Sequence, residues 1–126
     1  MMRAAGTIVL CGAVLATASP ALAEPGPQAT LRIVIMVNDR PLKGATLTCD
    51  PDGGSHPTPS AACELLRKID GDSTKLNVVP NPVCTDEYER HTVLVRGKWH
   101  DRTVKWAHSY PNSCQMKAAG GAVFTL

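Results

Sequence analysis

The chain is poor in aromatic side chains, with two Trp, two Tyr and one Phe among 126 residues. It also has no run of about 20 apolar residues, the length a membrane-spanning helix needs. Charge of one sign is equally scarce: beyond residue 23, twelve Lys and Arg face eleven Asp and Glu, a formal balance of +1. A balance so near zero gives no reason to expect nucleic acid or an anionic membrane as partner. Enzyme signatures are missing too. There is no Gly-rich phosphate loop, no HExxH and no nucleophile elbow around any serine, so no catalytic role, cofactor or metal is expected. The cysteines are too widely spaced for a zinc knuckle.

The first residues have the character of an export signal. Arg3 supplies a positive charge, residues 7–17 are apolar except for Gly12, and Ala21-Leu22-Ala23 ends the run with the small-x-small pattern of a cleavage site. Residues 1–23 are therefore read as a signal peptide, with a secreted, extracellular product from Glu24 onward. Residues 24–30 carry Pro25, Gly26 and Pro27 and form a flexible arm, and one domain occupies 31–126. Cys49, Cys63, Cys84 and Cys114 remain after cleavage. An even number in a small exported chain reads as two disulfides, for which sequence alone leaves three pairings open.

Leu31–Val37 alternates as a strand with Leu31, Ile33, Ile35 and Val37 on one face. The other face carries Arg32 and then Val34 and Met36, so the strand is apolar on both sides. Either another layer of the same subunit or a second copy of the protein covers that second face. Asn38–Gly44 holds turn formers, Ala45–Cys49 reads as a second strand, and 50–59 is a Pro/Gly/Ser loop. Ser60 is placed as the cap of a helix over 61–69, with Leu65, Leu66 and Ile69 as its buried stripe and Asp70-Gly71 as its stop. Residues 72–77 add one more turn. Pro80 and Pro82 exclude helix and central strand from 78–88. His91–Val95 is a strand, Arg96-Gly97-Lys98 a turn, with a hairpin extending to Asp101 as the alternative, Arg102–Ser109 the return, and Ala122–Leu126 a last strand. One helical region with hairpin-linked strands gives an α+β domain with an antiparallel sheet.

The most informative stretch is Val83-Cys84-Thr85-Asp86-Glu87-Tyr88. A cross-linked cysteine beside an exposed, extended segment fixes a loop before any partner arrives, which suits a bait for a protease cleft. His56, His91, His100 and His108 lack the spacing of a metal or catalytic set. His91 and Glu89 read as a solvated ion pair, and His100-Asp101 as turn residues. Trp99 and Trp106 are assigned to core or dimer contacts. Arg96, Lys98, Arg102 and Lys105 read as the solvated charges of an edge.

Thr46-Leu47-Thr48-Cys49, His56-Pro57, Ala62-Cys63, Tyr88 four residues past Cys84, Gly97-x-Trp99, Asn112-x-Cys114-x-Met116 and Val123-Phe124 together resemble the bacterial secreted subtilisin-inhibitor family. The similarity runs from about Leu31 to Leu126. It implies a five-stranded antiparallel sheet with two helices on one face, a homodimer formed through the sheets, and disulfides Cys49–Cys63 and Cys84–Cys114. It further implies an extracellular serine protease as partner, with the inhibitory bond between Asp86 and Glu87. Tyr88 would support the loop from behind. Asp86 departs from the Met or Lys usual at the specificity position, so the resemblance carries two readings. One is an inhibitor redirected toward a protease that prefers acidic residues. The other is a non-inhibitory secreted binding module on the same scaffold.

Overall fold

The computed structural model describes residues 2, 6, 11–15 and 26–126. The expected leader, 1–23, lies largely outside the described residues. Five antiparallel strands form one sheet in the order β3-β2-β1-β4-β5. They are β1 (Ala29–Val37), β2 (Arg40–Cys49), β3 (Gly53–Gly54), β4 (His91–Trp99) and β5 (Arg102–Tyr110), joined by helices α1 (Pro59–Lys68) and α2 (Ser113–Gly120). This is the expected α+β architecture, with several elements drawn differently.

The β1–β2 connection is tighter than the turn expected over 38–44. Asn38 and Asp39 both take positive φ, 48° and 65°. Those are the two left-handed positions of a two-residue hairpin whose twist matches its strands, and Asn and Asp tolerate them at low cost. The strand start moves as well: Ala29 and Thr30 already pair with Cys49 and Thr48, so they belong to the sheet and not to the arm.

The turn expected at Arg96-Gly97-Lys98 does not exist. β4 continues to Trp99, and His100-Asp101 makes the turn, with His100 at φ 53°. Gly97 sits inside the strand because its neighbour comes too close for a side chain. A Cβ there would lie 2.0 Å from the carbonyl oxygen of Thr30, and its φ is 148°. The expected C-terminal strand is also replaced: residues 121–124 form a 3-10 turn that drives Val123 and Phe124 into the core. The fifth strand is instead the short Gly53–Gly54 segment on the edge of β2.

The core lies on one side of the sheet. Leu31, Ile33, Ile35, Leu47, Val93, Val95 and Trp99 point from the strands toward Ala62, Cys63, Leu66, Met116 and Phe124. Each large side chain so buried contributes on the order of 1.5–3 kcal/mol. Trp99 is fully buried, and its indole Nε1–H donates to Asp70 Oδ1 at 3.1 Å. Trp106 stacks on Phe124 with ring centroids 5.8 Å apart. Both tryptophans therefore serve the core and neither is an exposed binding residue. On α1 the buried side chains are Ala62, Cys63 and Leu66, with Leu65 and Ile69 only partly covered. Ser60 is not its cap: the helix opens at Pro59 behind Thr58, and no side chain caps it. The expected stop holds, because Asp70 and Gly71 both take positive φ and Gly71 N–H returns to the Leu66 carbonyl at 2.9 Å. Arg67 of α1 pairs with Asp52 at 2.9 Å and Asp50 at 3.3 Å, tying the loop after β2 to the helix. The Arg67 hydrogen bond holds the Asp52 carboxyl below its ordinary value. Among the described residues no helix is long and apolar enough to cross a membrane.

Candidate functional site

Pro80 and Pro82 deny the segment 78–88 both a helix and a place in the sheet, so it runs over the surface between the 3-10 turn of residues 73–75 and β4. It enters tied to α2: the amides of Val78 and Val79 donate to the carbonyls of Ala119 and Ala118 at 2.9 and 2.8 Å. It leaves tied to the residue before that helix's cap, with Glu89 N–H donating to the Pro111 carbonyl at 2.8 Å. Between these anchors Val83 is fully exposed, and Thr85, Asp86, Glu87 and Tyr88 are exposed as well.

Two cross-links reach the exposed stretch itself. Cys84 is bonded to Cys114 in the first turn of α2, and Cys49 to Cys63, as the resemblance implied. Asn112, 9% exposed, is the second. Its Nδ2 donates to the carbonyl of Thr85 at 3.2 Å and to that of Glu87 at 2.8 Å. Its Oδ1 accepts from Gln115 N–H at 2.9 Å and so caps α2. One amide thus spans the Asp86–Glu87 peptide from behind, with a donor on each side, and is itself fixed by a helix. The anchors at residues 78, 79, 84, 85, 87 and 89 all come from the stretch Pro111–Ala119.

Asn112 is the functional residue that the sequence reading left without a role. Its signal was the motif Asn112-x-Cys114, which places a capping amide two residues from a loop-bridging cysteine. Tyr88 does not do the work expected of it: it is 72% exposed and is no packing support for the loop. The loop base is held instead by Arg90, which pairs with Asp39 in the β1–β2 turn, while its carbonyl accepts from Asn38 N–H at 2.9 Å. His91 is buried, its Nδ1–H donating to the Glu89 carbonyl at 2.7 Å, and its Nε2 stands 4.0 Å from the Glu89 carboxylate.

The remaining histidines are structural. His56 is buried, its Nε2–H donating to the Val123 carbonyl at 3.1 Å while Nδ1 accepts from Thr58 N–H at 3.0 Å. His108 packs edge-on to Tyr110 at 4.7 Å. Among the described residues the group of Cys49, Asp52 and Cys63 lies within metal-ligand spacing, but its sulfurs are spent in a disulfide and Asp52 is paired with Arg67. It offers no thiolate to a metal.

A family profile described as subtilisin inhibitor-like matches residues 33–112. A subtilase-type protease inhibitor of Streptomyces coelicolor is 36% identical over 125 residues, covering 93% of this chain and 85% of the relative. Protease inhibitor SIL-V5 of Streptomyces luteoverticillatus is 43% identical over 84 residues, 65% of this chain and 78% of that one. Among solved structures, Streptomyces caespitosus sermetstatin in complex with Bacillus licheniformis subtilisin superposes with a TM-score of 0.68 at 30% identity, covering 80% of this chain and all of the other. These relatives are inhibitors and not enzymes, and the chain belongs to the subtilisin inhibitor-like family.

Proposed function

We propose that this chain is a secreted inhibitor of an extracellular serine protease, with Val83–Tyr88 as a substrate-like loop and Asp86–Glu87 as the inhibitory bond. The observation that supports this most is the Asn112 amide, which holds the carbonyls of Thr85 and Glu87 on either side of that peptide. In the cleft the loop backbone pairs with the enzyme's strand edges, and the carbonyl of Asp86 turns toward the oxyanion hole. If the bond is cut, the Cys84–Cys114 strap and Asn112 keep both new ends in place. The leaving amine stays beside the acyl carbon and the bond re-forms. The export signal over 1–23 and the sermetstatin–subtilisin complex support an extracellular target.

Asp86 selects the target. A carboxylate forced into an apolar pocket loses its water without gaining a partner, so subtilisin is held weakly, and a protease with a cationic or His-lined pocket is held well. The same residue favours a second reading, a non-inhibitory binding module on this scaffold. Inhibition constants against subtilisin, trypsin and an acidic-residue-specific serine protease decide between the two. Inhibition of the last alone is expected, and absence of inhibition of all three at micromolar concentration overturns the inhibitor reading. Asp86→Met is expected to tighten subtilisin inhibition about a thousandfold, the equivalent of roughly 4 kcal/mol. An inert Asp86→Met variant favours the binding module.

The chain acts as a homodimer in this reading, formed through the sheet face that carries no helix. Val34, Met36 and Leu94 are only half-buried there in the isolated subunit, which accounts for the two-sided apolar pattern of β1.

A further inference from the structure

A buried histidine touches the bait's own backbone. His91 opens β4 two residues past Glu89, and its side chain is only 7% exposed. Its Nδ1 lies 2.7 Å from the Glu89 carbonyl, a group that can only accept, so Nδ1 carries a proton. Nε2 faces the carboxylate of the same residue at 4.0 Å. In the neutral ring Nε2 holds a lone pair, and lone pair and carboxylate oxygen repel. A second proton turns that contact into an ion pair. One residue of the loop is then held at both its carbonyl and its side chain.

The surroundings leave Glu89 as the group that answers this charge. Among the described residues no other carboxylate lies within 4.0 Å of the ring. Val37, opposite His91 on β1, is apolar. Tyr110 stands opposite on β5, and burial holds its phenol above its ordinary value, so it stays neutral wherever histidine titrates. Lys43 of β2 and Lys117 of α2 line the same cavity and oppose a charge on the ring. Lys43 is taken up by the main-chain oxygen of Leu126 at 3.1 Å, and both lysines are exposed, so water screens them. Arg90, next in the chain, pairs with Asp39 of the β1–β2 turn. Burial alone disfavours a charged ring, and the facing carboxylate offsets that cost.

Glu89 lies on the leaving side of the Asp86–Glu87 bond. If that bond is cut, the new amine sits at Glu87, and the segment 87–90 alone carries it. Asn112 Nδ2 holds the start of this segment through the Glu87 carbonyl at 2.8 Å. The Glu89 amide donates to the Pro111 carbonyl at 2.8 Å, and the Glu89 carbonyl accepts from His91. The grip on Glu89 therefore sets how far the amine can stray from the acyl carbon.

We propose that His91 is a positioning residue of the inhibitory loop, gripping Glu89 by carbonyl and carboxylate when protonated and by the carbonyl alone when neutral. The proposal rests on the inhibitor reading above. The added hold is present while the imidazole is charged and is lost as pH rises through the histidine range, about 5 to 8. A partly exposed pair of this kind changes an equilibrium roughly threefold. Amide exchange in the free oxidised protein and dissociation of the complex test the two halves separately. The Glu89 amide, corrected for its intrinsic exchange, should be protected roughly threefold more at about pH 5 than at about pH 8. Glu89→Gln, at an exposed position, keeps both backbone contacts and should be protected equally at both. His91→Asn keeps a donor for the carbonyl, cannot be charged, and should behave likewise, with its melting temperature reporting the fold. Dissociation from an acidic-residue-specific serine protease is read as the rate for Glu89→Gln over that for wild type, which cancels the enzyme's own titration. That ratio should be roughly three at about pH 5 and fall to unity at about pH 8. Wild-type protection that ignores pH, or that changes equally in Glu89→Gln, overturns the grip. The expected protection with a dissociation ratio that ignores pH overturns its part in inhibition. No inhibition of the enzyme by wild type at either pH overturns the inhibitor reading, and amide exchange still decides the grip.

Discussion

Asn112 does two jobs with one side chain, and its two ends can be separated. The Oδ1 end caps α2 and the Nδ2 end holds the carbonyls of Thr85 and Glu87. Asn112→Asp keeps an acceptor for the cap and replaces the donor with an oxygen that faces two carbonyl oxygens. Each lost hydrogen bond is worth about 0.5–1.5 kcal/mol, and cap removal about 1 kcal/mol. Asn112→Asp is therefore expected to weaken protease binding by at least about tenfold and to let the Asp86–Glu87 bond be cut during incubation. Its melting temperature should stay closer to wild type than that of Asn112→Ala, which loses the cap as well. Equal inhibition by wild type and Asn112→Asp would show that the bridging amide does not brace the loop.

The loop and α2 act as one element, because every anchor from Val78 to Glu89 comes from that helix or from its immediate approach, and only Arg90 at the loop base reaches elsewhere, to the β1–β2 turn. The Cys84–Cys114 bridge closes a sequence separation of 30 residues. Closing a loop of that length restricts the unfolded chain by about 3–4 kcal/mol, against a total of about 5–15 kcal/mol for a domain of this size. Cys84→Ser/Cys114→Ser is expected to remain folded on its core and on Cys49–Cys63, with its denaturation midpoint lowered accordingly. It should behave as a substrate, cut at residue 86–87 with no re-formation. Mass spectrometry after incubation with the target enzyme reads this directly, and an uncut double variant removes the strap from the mechanism. Such coupling between distant segments is what a sequence shows least. The exposure of the cysteine-bearing loop and the core face of β1 were legible, because prolines, cross-link positions and alternation of period 2 are local signals. Gly97 was not: a glycine between Arg96 and Lys98 looks like a turn, and only the Thr30 carbonyl pressing on it shows that it is a strand residue. Residues 122–126 likewise read as a short apolar strand, and the close approach of Phe124 to Gly120 accompanies a turn instead. The partners of Asn112 depend on a loop 25 and 27 residues away, which no local pattern reports.

At the scale of the whole molecule two patches are of one sign. The loop carries Asp86, Glu87 and Glu89, while Arg32, Arg96, Lys98 and Lys105 lie on the open sheet face. From His91, beside the loop, to Arg96 is five residues of extended strand, about 17 Å. Arg90 and Arg40 also stand at the loop end, and Asp70 and Asp101 at the far end of β4, so the acidic field is local to the loop and not that of the whole molecule. In the inhibitor reading proposed above, a target with a cationic pocket is attracted to this acidic loop. Steering of this kind acts on encounter and not on the docked complex, so it changes the association rate while leaving dissociation alone. The field reaches about 30 Å at 0.01 M ionic strength and about 8 Å at 0.15 M. Association with an acidic-residue-specific protease should therefore slow roughly tenfold between those two conditions, at the lower end of what steering gives. The dissociation rate should change little. Stopped-flow association and dissociation in sodium chloride separate the two rates. An association rate that ignores salt would mean that the acidic residues act only after docking, inside the pocket, and that their clustering on the loop has no part in finding the enzyme.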